Sequence, residues 1–167
     1  MILSRQSISK LSLEKIVYPF CKEKDKYNGM SMGLSEAGYD ILSDKKVILY
    51  PITLKNLFLS SIGFDRSNFR LTSSYERFVI PDYLMMMIVD KSSWARRGLA
   101  VQNTVAEPGW EGFLTLELTN HSTETIVIEK YTPIAQVIFI KLDQPTDRPY
   151  SGKYQNQARG PQKAILD

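Results

Sequence analysis

The residue types best suited to chemistry fall in two neighbouring segments of the chain. Lys91, Ser92, Ser93 and Arg96 lie within six residues, and Glu117 follows in a segment of alternating apolar and polar residues. Two cations, two hydroxyls and the nearby backbone N–H groups suit an oligophosphate, because an Arg guanidinium binds phosphate oxygens through paired hydrogen bonds. A carboxylate such as Glu117 can move protons on the rest of a phosphate-bearing substrate.

Each of these features also fits a purely structural explanation. Charged side chains are usually solvated, so the cluster at 91–96 is also typical of an exposed turn, and Glu117 of the polar face of a strand. Trp110, which follows a Pro-Gly pair, fits either a core position or the wall of a pocket. His121 lies in an apparent turn, and we assign it no role.

Several classes of catalytic site are excluded by composition. Zinc-dependent base deaminases carry an H-x-E…P-C-x-x-C signature, whereas this chain has one histidine, His121, and one cysteine, Cys21. A serine hydrolase triad would depend on His121, which has no nucleophile motif nearby. The chain also lacks the glycine-rich phosphate loop of the P-loop enzymes. We therefore expect a zinc-independent site.

The bulk composition is that of a soluble globular domain. The 167 residues are 43% hydrophobic and 23% charged, which predicts a single domain over 1–167. The net charge of +3 gives no reason to expect nucleic acid or an anionic membrane as a partner. With one cysteine, no apolar run near the ~20 residues of a membrane span and no secretion-signal layout, we expect a cytoplasmic protein.

Short β-type segments dominate the pattern. An amphipathic helix is predicted over 4–17 with Ser4 as its N-cap, followed by a loop over 21–33. Strands are predicted at 38–42, 47–50, 78–80, 84–89, 98–101, 112–118, 125–128 and 134–142. Many short strands with little helix favour a sandwich, jelly roll or barrel. The segment 143–167 is rich in Pro, Gly and Gln, and we expect a flexible tail that orders against a ligand or a neighbour.

The segment 113–119 shows the clearest alternation. Leu114, Leu116 and Leu118 share one face of the predicted strand, and Thr115, Glu117 and Thr119 share the other. The following residues 120–123 are interpreted as a hairpin turn. One strand therefore carries both part of a core and the candidate proton-transfer residue.

Six pieces of the sequence, in the same order, resemble the dCTP deaminases of the dUTPase-like superfamily. Segment 91–96 (KSSWAR) resembles the family pattern K-S-[ST]-x-A-R, and 107–117 (EPGWEGFLTLE) resembles its catalytic strand. The other pieces are 33–41 (GLSEAGYDI), 76–81 (ERFVIP), 135–137 (AQV) and 149–157 (PYSGKYQNQ). The resemblance covers most of the chain.

The resemblance implies a fold, an assembly and a reaction. The fold would be a mainly β, distorted jelly roll of the dUTPase-like β-clip type with a short N-terminal helix, assembled as a homotrimer with active sites between subunits. The reaction would be hydrolytic deamination of dCTP to dUTP and ammonia, with Mg²⁺ bound through the substrate triphosphate and no zinc. The family also implies dTTP as a possible inhibitor.

The resemblance also assigns roles to individual residues. Glu117 would be the general acid and base, with Ser92 and Arg96 as its catalytic partners. The substrate-binding residues would be Lys91, Ser93, Trp94, Ala95, Glu107, Thr115 and Leu116, the last through its backbone. Gln136, Tyr150, Lys153 and Gln157 would close the pocket, with the tail at 143–167 folding over the active site.

Two departures keep alternatives open. The loop between Arg96 and Pro108 is shorter than in some members and has Thr104-Val105 where those members carry a His-Arg pair. The piece around Asp40 is also similar to plain dUTPases, although their G-x-[IV]-D-x-[DG]-[YF]-R-G segment is absent. The alternatives are a bifunctional dCTP deaminase and dUTP diphosphatase, a dUTPase, and a non-catalytic nucleotide-binding relative.

Overall fold

The computed structural model describes residues 1–23 and 25–166, so Lys24 and Asp167 lie outside the described part. The helices are α1 (Arg5–Leu11), a 3-10 helix (Ser12–Glu14), α2 (Leu54–Ser61) and α3 (Ser92–Ala95). The strands are β1 (Val17–Tyr18), β2 (Asp25–Tyr27), β3 (Met30–Leu34), β4 (Tyr39–Leu42), β5 (Val47–Leu49) and β6 (Phe69–Val79). They continue with β7 (Leu84–Asp90), β8 (Leu99–Val101), β9 (Thr104–Ala106), β10 (Glu111–Asn120), β11 (Ile126–Ile128) and β12 (Pro133–Lys141).

Two larger antiparallel sheets and one small sheet make up the fold. The larger sheets have the strand orders β2-β3-β4-β12-β7-β9 and β1-β6-β10-β8, and β11 pairs with β5. Sequence-distant strands lie side by side, such as β4 with β12 and β6 with β10, as in a jelly roll. Buried side chains of both larger sheets, including Ile41, Phe139, Phe78 and Leu118, belong to one apolar core. The prediction of a mainly β fold with a short N-terminal helix is confirmed.

Strand β10 connects the core to the candidate site. Its residues alternate strictly between half-buried and buried along the whole strand, with Leu114, Leu116 and Leu118 inside. This alternation confirms the prediction made for 113–119. Strand β6 pairs with it so that Leu71 lies opposite Glu117. The polar face of β10 therefore lies beside residues of β6, and the local sequence does not show that these residues are neighbours of Glu117.

Two local predictions are wrong, and a third is confirmed only in position. The predicted loop at 21–33 contains the β2–β3 hairpin, closed by Asn28 and Gly29 at positive φ (49° and 78°); an Asn-Gly pair favours such tight hairpin turns. The predicted helix over 4–17 is shorter: α1 ends at Leu11, and Lys15 adopts a left-handed conformation after the 3-10 helix. Ser4 stands at the N-cap position but its side chain makes no capping hydrogen bond.

The predicted hairpin turn at 120–123 joins two different sheets instead. Strand β11 pairs with β5 and not with β10. Asn120 is buried at this turn, where its amide donates to the carbonyl oxygens of Leu49 (3.2 Å) and Glu124 (2.8 Å). Its side-chain oxygen accepts from the Ser122 backbone N–H at 2.8 Å. These bonds satisfy a buried polar side chain while the chain leaves one sheet for the other.

Helix α2 has no counterpart among the sequence predictions. It begins after Thr53, whose hydroxyl accepts from the Asn56 N–H at 3.1 Å, a regular N-cap. None of its residues is buried. In the described part of the chain, every helix is too short or too polar to cross a bilayer.

Candidate functional site

The polar face of β10 opens into a cavity of about 520 Å³, a volume typical of small-molecule sites. Residues of β6, β9, β10 and the C-terminal segment surround it. Its lining comprises Phe69, Leu71, Thr104, Val105, Ala106, Glu107, Trp110, Leu114, Thr115, Glu117, Tyr150, Tyr154, Gln157, Gln162, Lys163 and Ala164. Five of the predicted site residues thus meet in one place: Glu107, Thr115, Glu117, Tyr150 and Gln157.

Glu117 is the acidic group best placed for proton transfer. It is half-buried on β10 and faces the cavity. Burial raises the pKa of its carboxyl above the ordinary value, because the charged form loses solvation. A hydrogen bond from the backbone of Glu117 itself lowers this pKa, but by less than burial raises it. A half-desolvated carboxylate of this kind is suited to accept and return a proton.

One wall of the cavity is apolar. Phe69 and Leu71 enter it from β6, and Leu114 and Trp110 from the β10 side. The Trp110 indole is buried in the core, and its Nε1 donates to the Tyr154 carbonyl oxygen at 2.8 Å. Trp110 is therefore both a core residue and a pocket wall, which are the two positions that its sequence context left open. A flat apolar wall opposite polar groups is the usual setting for a nucleobase or similar ring.

The C-terminal segment forms another wall. It pairs with the start of β10 through two backbone bonds, Asn156 N–H to Glu111 O and Phe113 N–H to Gln157 O, both 3.0 Å. The Thr115 hydroxyl then accepts from the Gln162 N–H at 3.0 Å and from the Gln157 side-chain amide. The described part of the tail, 143–166, thereby lies against the cavity.

Gly112 makes this close packing possible. Its φ is +146°, and a Cβ there would lie only 2.7 Å from the backbone nitrogen of Gln157. Any other residue would therefore push the segment away from β10. The sequence pattern EPGWEG accordingly contains a glycine whose structural purpose is to admit the tail.

The predicted phosphate segment lies outside this cavity in the single chain. Ser92, Ser93, Ala95 and Arg96 are exposed on α3 and the residue after it. Trp94 is buried, and its Nε1 donates to the Pro133 carbonyl oxygen at 2.8 Å. None of these five residues lines the cavity around Glu117.

Lys91 and Gln136 belong to a buried polar network on the other large sheet. The Lys91 Nζ lies 2.9 Å from the Asp40 Oδ2 and 3.0 Å from the Ser31 hydroxyl. The Gln136 amide donates to the Ser35 hydroxyl at 3.2 Å and to Asp40 at 3.4 Å. The ammonium of Lys91 is thus already paired within the chain.

Two further predicted residues lie near the cavity but do not line it. The Leu116 side chain is fully buried on the core face of β10. Lys153 is exposed, with its Nζ 5.8 Å from the centre of the Tyr154 ring. His121 stands in the turn after β10, where its N–H donates to the Gly98 carbonyl oxygen at 2.8 Å.

Sequence reasoning missed a set of lining residues: Phe69, Leu71, Thr104, Val105, Ala106, Gln162, Lys163 and Ala164. Phe69 and Leu71 reach the cavity because β6 pairs with β10 in a register that sets them opposite Thr119 and Glu117. No local pattern encodes that register. Tyr154 also lines the cavity, and the Lys-Tyr-Gln pattern around it was the signal available in the sequence.

Comparison with known sequences identifies the family. A family model described as dCTP deaminase-like matches residues 2–142. The dCTP deaminase of Ehrlichia canis (strain Jake) is 35% identical over 162 residues, which cover 86% of each chain. The dCTP deaminase of Helicobacter pylori (strain G27) is 31% identical over 172 residues, and that of Thermococcus gammatolerans 32% over 150 residues; each match covers 90% of both chains.

Solved structures resemble the fold. A dUTPase of Staphylococcus bacteriophage 80alpha with dUpNHpp matches 81% of this chain and 95% of its own, with a TM-score of 0.53 and 17% identity. EIAV dUTPase matches 78% of this chain and 91% of its own, with a TM-score of 0.52 and 16% identity. These likenesses confirm the predicted dUTPase-like architecture. Since the family model spans most of the chain and the related sequences extend over nearly the same length, the chain belongs to the dCTP deaminase-like family.

Proposed function

We propose that this protein deaminates dCTP to dUTP and ammonia in the cytoplasm, with Glu117 as the general acid and base. The observation that carries this proposal is the half-buried carboxylate of Glu117, whose pKa is raised and which faces a nucleoside-sized cavity from strand β10. Membership of the dCTP deaminase-like family supports the choice of substrate. The supply of dUTP would then serve deoxypyrimidine nucleotide synthesis.

The proton inventory of the reaction fits a single carboxylate. Glu117 accepts a proton from water while the water oxygen bonds to C4 of cytosine. Glu117 then delivers that proton to N3. The tetrahedral intermediate then passes its hydroxyl proton to the amino group, the C4–N bond breaks, and ammonia leaves as the C4 carbonyl forms. General acid–base catalysis contributes roughly 10²–10⁴-fold, so positioning and electrostatics supply the remainder.

The second half of the site comes from a neighbouring subunit of a homotrimer. Ser92 and Arg96 are exposed and absent from the cavity of their own chain, which suits residues that act on another copy. Ser92 would hold the water or the leaving amine, and Arg96 would bind phosphate and orient Ser92. Ser93, with the α3 backbone, would bind the remaining phosphate oxygens.

Trp94 and Lys91 would act indirectly in this arrangement. Trp94 anchors α3 through its bond to Pro133, and Ala95 is exposed on the same helix. Lys91 would fix the start of α3 through its ion pair with Asp40. Gln136 would support the same network.

The tail would close the cavity over the nucleotide. Glu107, Thr115 and the Leu116 backbone would contact the sugar and base, while Tyr150, Lys153 and Gln157 would cover the phosphates. Mg²⁺ would enter as part of the substrate, bound by triphosphate oxygens.

The direct test is Glu117→Gln with dCTP as substrate. The variant keeps the size and hydrogen-bonding capacity of the side chain but cannot accept the water proton, so ammonia release should fall at least about 10²-fold. Binding of dCTP, measured by calorimetry, should stay within a fewfold of the wild type. Substantial residual turnover would refute the role of Glu117.

A co-expression experiment tests the shared site. Glu117→Gln and Arg96→Ala chains should each be inactive alone, because each lacks one half of the site. Mixed trimers contain some sites with an intact Glu117 from one chain and an intact Arg96 from another. Recovery of part of the wild-type activity is therefore expected, and no recovery would show that both residues act within one chain.

Three alternatives concern the same site. A bifunctional enzyme would convert dCTP to dUMP and pyrophosphate, a dUTPase would act on dUTP alone, and a non-catalytic relative would bind nucleotide without turnover. Chromatography of products after incubation with dCTP and with dUTP distinguishes all of these. Adding dTTP to the same assay tests whether it inhibits.

A further inference from the structure

Two neighbouring strands flank Glu117 at its place in the sheet. On the β6 side, Leu71 is the register partner of Glu117, so the Cβ atoms of the two residues lie about 4.5–5.5 Å apart on one face. On the other side, just beyond the end of β8, the Gln102 backbone N–H donates to the Glu117 carbonyl oxygen at 2.9 Å. Leu71 and Gln102 are therefore the cross-strand neighbours of the carboxylate.

The polar side chains around Glu117 on this face are bonded to other groups. The Gln102 amide donates to the Thr119 hydroxyl at 3.3 Å. The Thr115 hydroxyl accepts from the Gln162 N–H of the C-terminal segment at 3.0 Å. The polar groups beside the carboxylate are thus held by one another and by the tail.

Leu71 is the cross-strand neighbour that carries no polar group. It is half-buried and lines the cavity, whereas Phe69, two residues earlier on the same strand, is 43% exposed. An alkyl group beside a carboxylate takes the space of water molecules that would solvate it, which disfavours the charged form. In agreement with this, burial is the largest cause of the raised pKa of the Glu117 carboxyl.

The surrounding charges come from other parts of the chain than the strands beside Glu117. Residues 99–101 of β8 carry no titratable side chain. On β6, Arg70 is paired with Asp65 at 2.6 Å. The other titratable residues in the described lining of the cavity are Glu107, Tyr150, Tyr154 and Lys163. These four follow β9 or belong to the C-terminal segment, so the influence from within the sheet is apolar.

We propose that Leu71 is a positioning residue for the deamination, which acts through Glu117 by excluding water from the side of the carboxylate that faces β6. This inference rests on the proposed function, in which Glu117 accepts a proton from water and delivers it to N3. A fully solvated glutamate is a weak base and would accept that proton poorly. The side chain of Leu71 keeps Glu117 basic enough to take the proton.

Two variants of matched shape separate polarity from packing. Leu71→Val and Leu71→Thr shorten the side chain equally and place a β-branched residue in the strand, but only threonine brings a hydroxyl to the carboxylate. A hydrogen bond to the ionised form lowers the pKa of a carboxyl. For ammonia release from dCTP, the acid-limb midpoint of kcat/KM should lie at least about 0.5 pH unit lower in Leu71→Thr than in Leu71→Val. A common midpoint would overturn the role of Leu71.

Val105→Thr is the control for polarity elsewhere in the cavity. Val105 lines the same cavity from β9, but its strand partner is Met87. The acid-limb midpoint of Val105→Thr should therefore equal that of the wild type. An equal shift in Val105→Thr and Leu71→Thr would assign the effect to the cavity as a whole and overturn the specific role of Leu71.

Carbon-13 NMR of the glutamate carboxyls gives a readout that does not depend on turnover. The Glu117 signal, assigned by its loss in Glu117→Gln, should titrate at lower pH in Leu71→Thr than in Leu71→Val. Circular dichroism checks that both variants are folded, and a second matched pair, Leu71→Gln and Leu71→Met, gives the same comparison if threonine unfolds the chain.

The two readouts distinguish this inference from the proposed function. A lower titration in Leu71→Thr, with no ammonia release from the wild type, would contradict the proposed function and leave the effect of Leu71 on Glu117 standing. Ammonia release from the wild type, with the same titration in both variants, would overturn the role of Leu71 and leave that of Glu117 standing.

Discussion

Lys91 and Asp40 form a buried ion pair, with 2.9 Å between Nζ and Oδ2, that joins the residue after β7 to the middle of β4. Both side chains are almost fully buried, and Ser31 and Gln136 complete the hydrogen bonds around Asp40. Burying two charges is costly unless each is compensated by the other. The pair therefore fixes where α3 begins, directly before Ser92.

Removing one partner of this pair should strongly destabilise the fold. Lys91→Met leaves the Asp40 carboxylate without its countercharge, and we expect a loss of about 3–5 kcal/mol in the free energy of unfolding. Lys91→Met/Asp40→Asn should lose less, because no charge remains buried. Urea unfolding at one fixed chain concentration measures both. Equal losses for the two variants would show that charge pairing is not what Lys91 contributes.

Glu76 should make the stability of the protein fall as pH rises. Burial raises the pKa of Glu76 to about 8, from an ordinary value of 4.5. The folded state therefore keeps a proton that the unfolded chain releases between these values. The stabilisation is complete below pH 4.5 and is lost as pH rises toward 8.

The test for Glu76 is a comparison with Glu76→Gln, which can still accept the 3.1 Å hydrogen bond from the Leu42 N–H. From pH 5.5 to pH 8, the wild type should lose free energy of unfolding relative to the variant, by at most about 1.4 kcal/mol per pH unit. Denaturant unfolding at several pH values provides the measurement. Parallel curves for the two proteins would contradict the assignment.

Glu117 should set the acid limb of the pH–rate profile. Burial raises its pKa above 4.5, and the residue must be ionised to accept the proton of the attacking water. The value of kcat/KM should therefore fall with decreasing pH around a midpoint above 4.5, since this parameter reports the free enzyme. A midpoint at or below the ordinary value would show that Glu117 is either solvated during catalysis or not the base.

Arg159 should hold the tail in place over the site. Its guanidinium lies 4.6 Å from the centre of the Phe113 ring and 5.1 Å from that of Tyr75. Two cation–π contacts at an exposed position predict a roughly fivefold rise in KM for dCTP in Arg159→Met. Arg159→Lys, which keeps a cation, should show a smaller rise. Faster hydrogen exchange at 155–163 in the Met variant alone would link the change to the tail, whereas an unchanged KM would separate the tail contact from binding.

The parts of the site that depend on local pattern could be predicted from sequence. Glu117 and Thr115 share a face because a strand alternates every residue, and that period is visible in the printed sequence. Phe69 and Leu71 could not be found in this way, since their place at the cavity depends on pairing between strands more than 40 residues apart. The place of Arg96 outside the cavity that Glu117 lines likewise reflects tertiary structure that no short motif encodes.

The β2–β3 hairpin, helix α2 and the ion pair of Lys91 were not predicted from the sequence, each for a different physical reason. The Asn28-Gly29 pair is typical of a tight hairpin turn, but the charged residues around it favoured the interpretation of this segment as a loop. Helix α2 was missed because it is only eight residues long and its apolar face looks like a short buried segment. The paired state of Lys91 required knowledge that Asp40, some fifty residues earlier, lies on a neighbouring part of the sheet.

The alternation along β10 separates two kinds of mutational tolerance. Substitutions at Leu114, Leu116 and Leu118 would disturb packing, while changes at Thr115 and Glu117 would alter the cavity more than the core. The lining of the cavity can therefore be changed through odd-numbered positions of β10 while the even-numbered ones preserve the core. Substitutions on the cavity face of β10 therefore need not lower the stability of the fold.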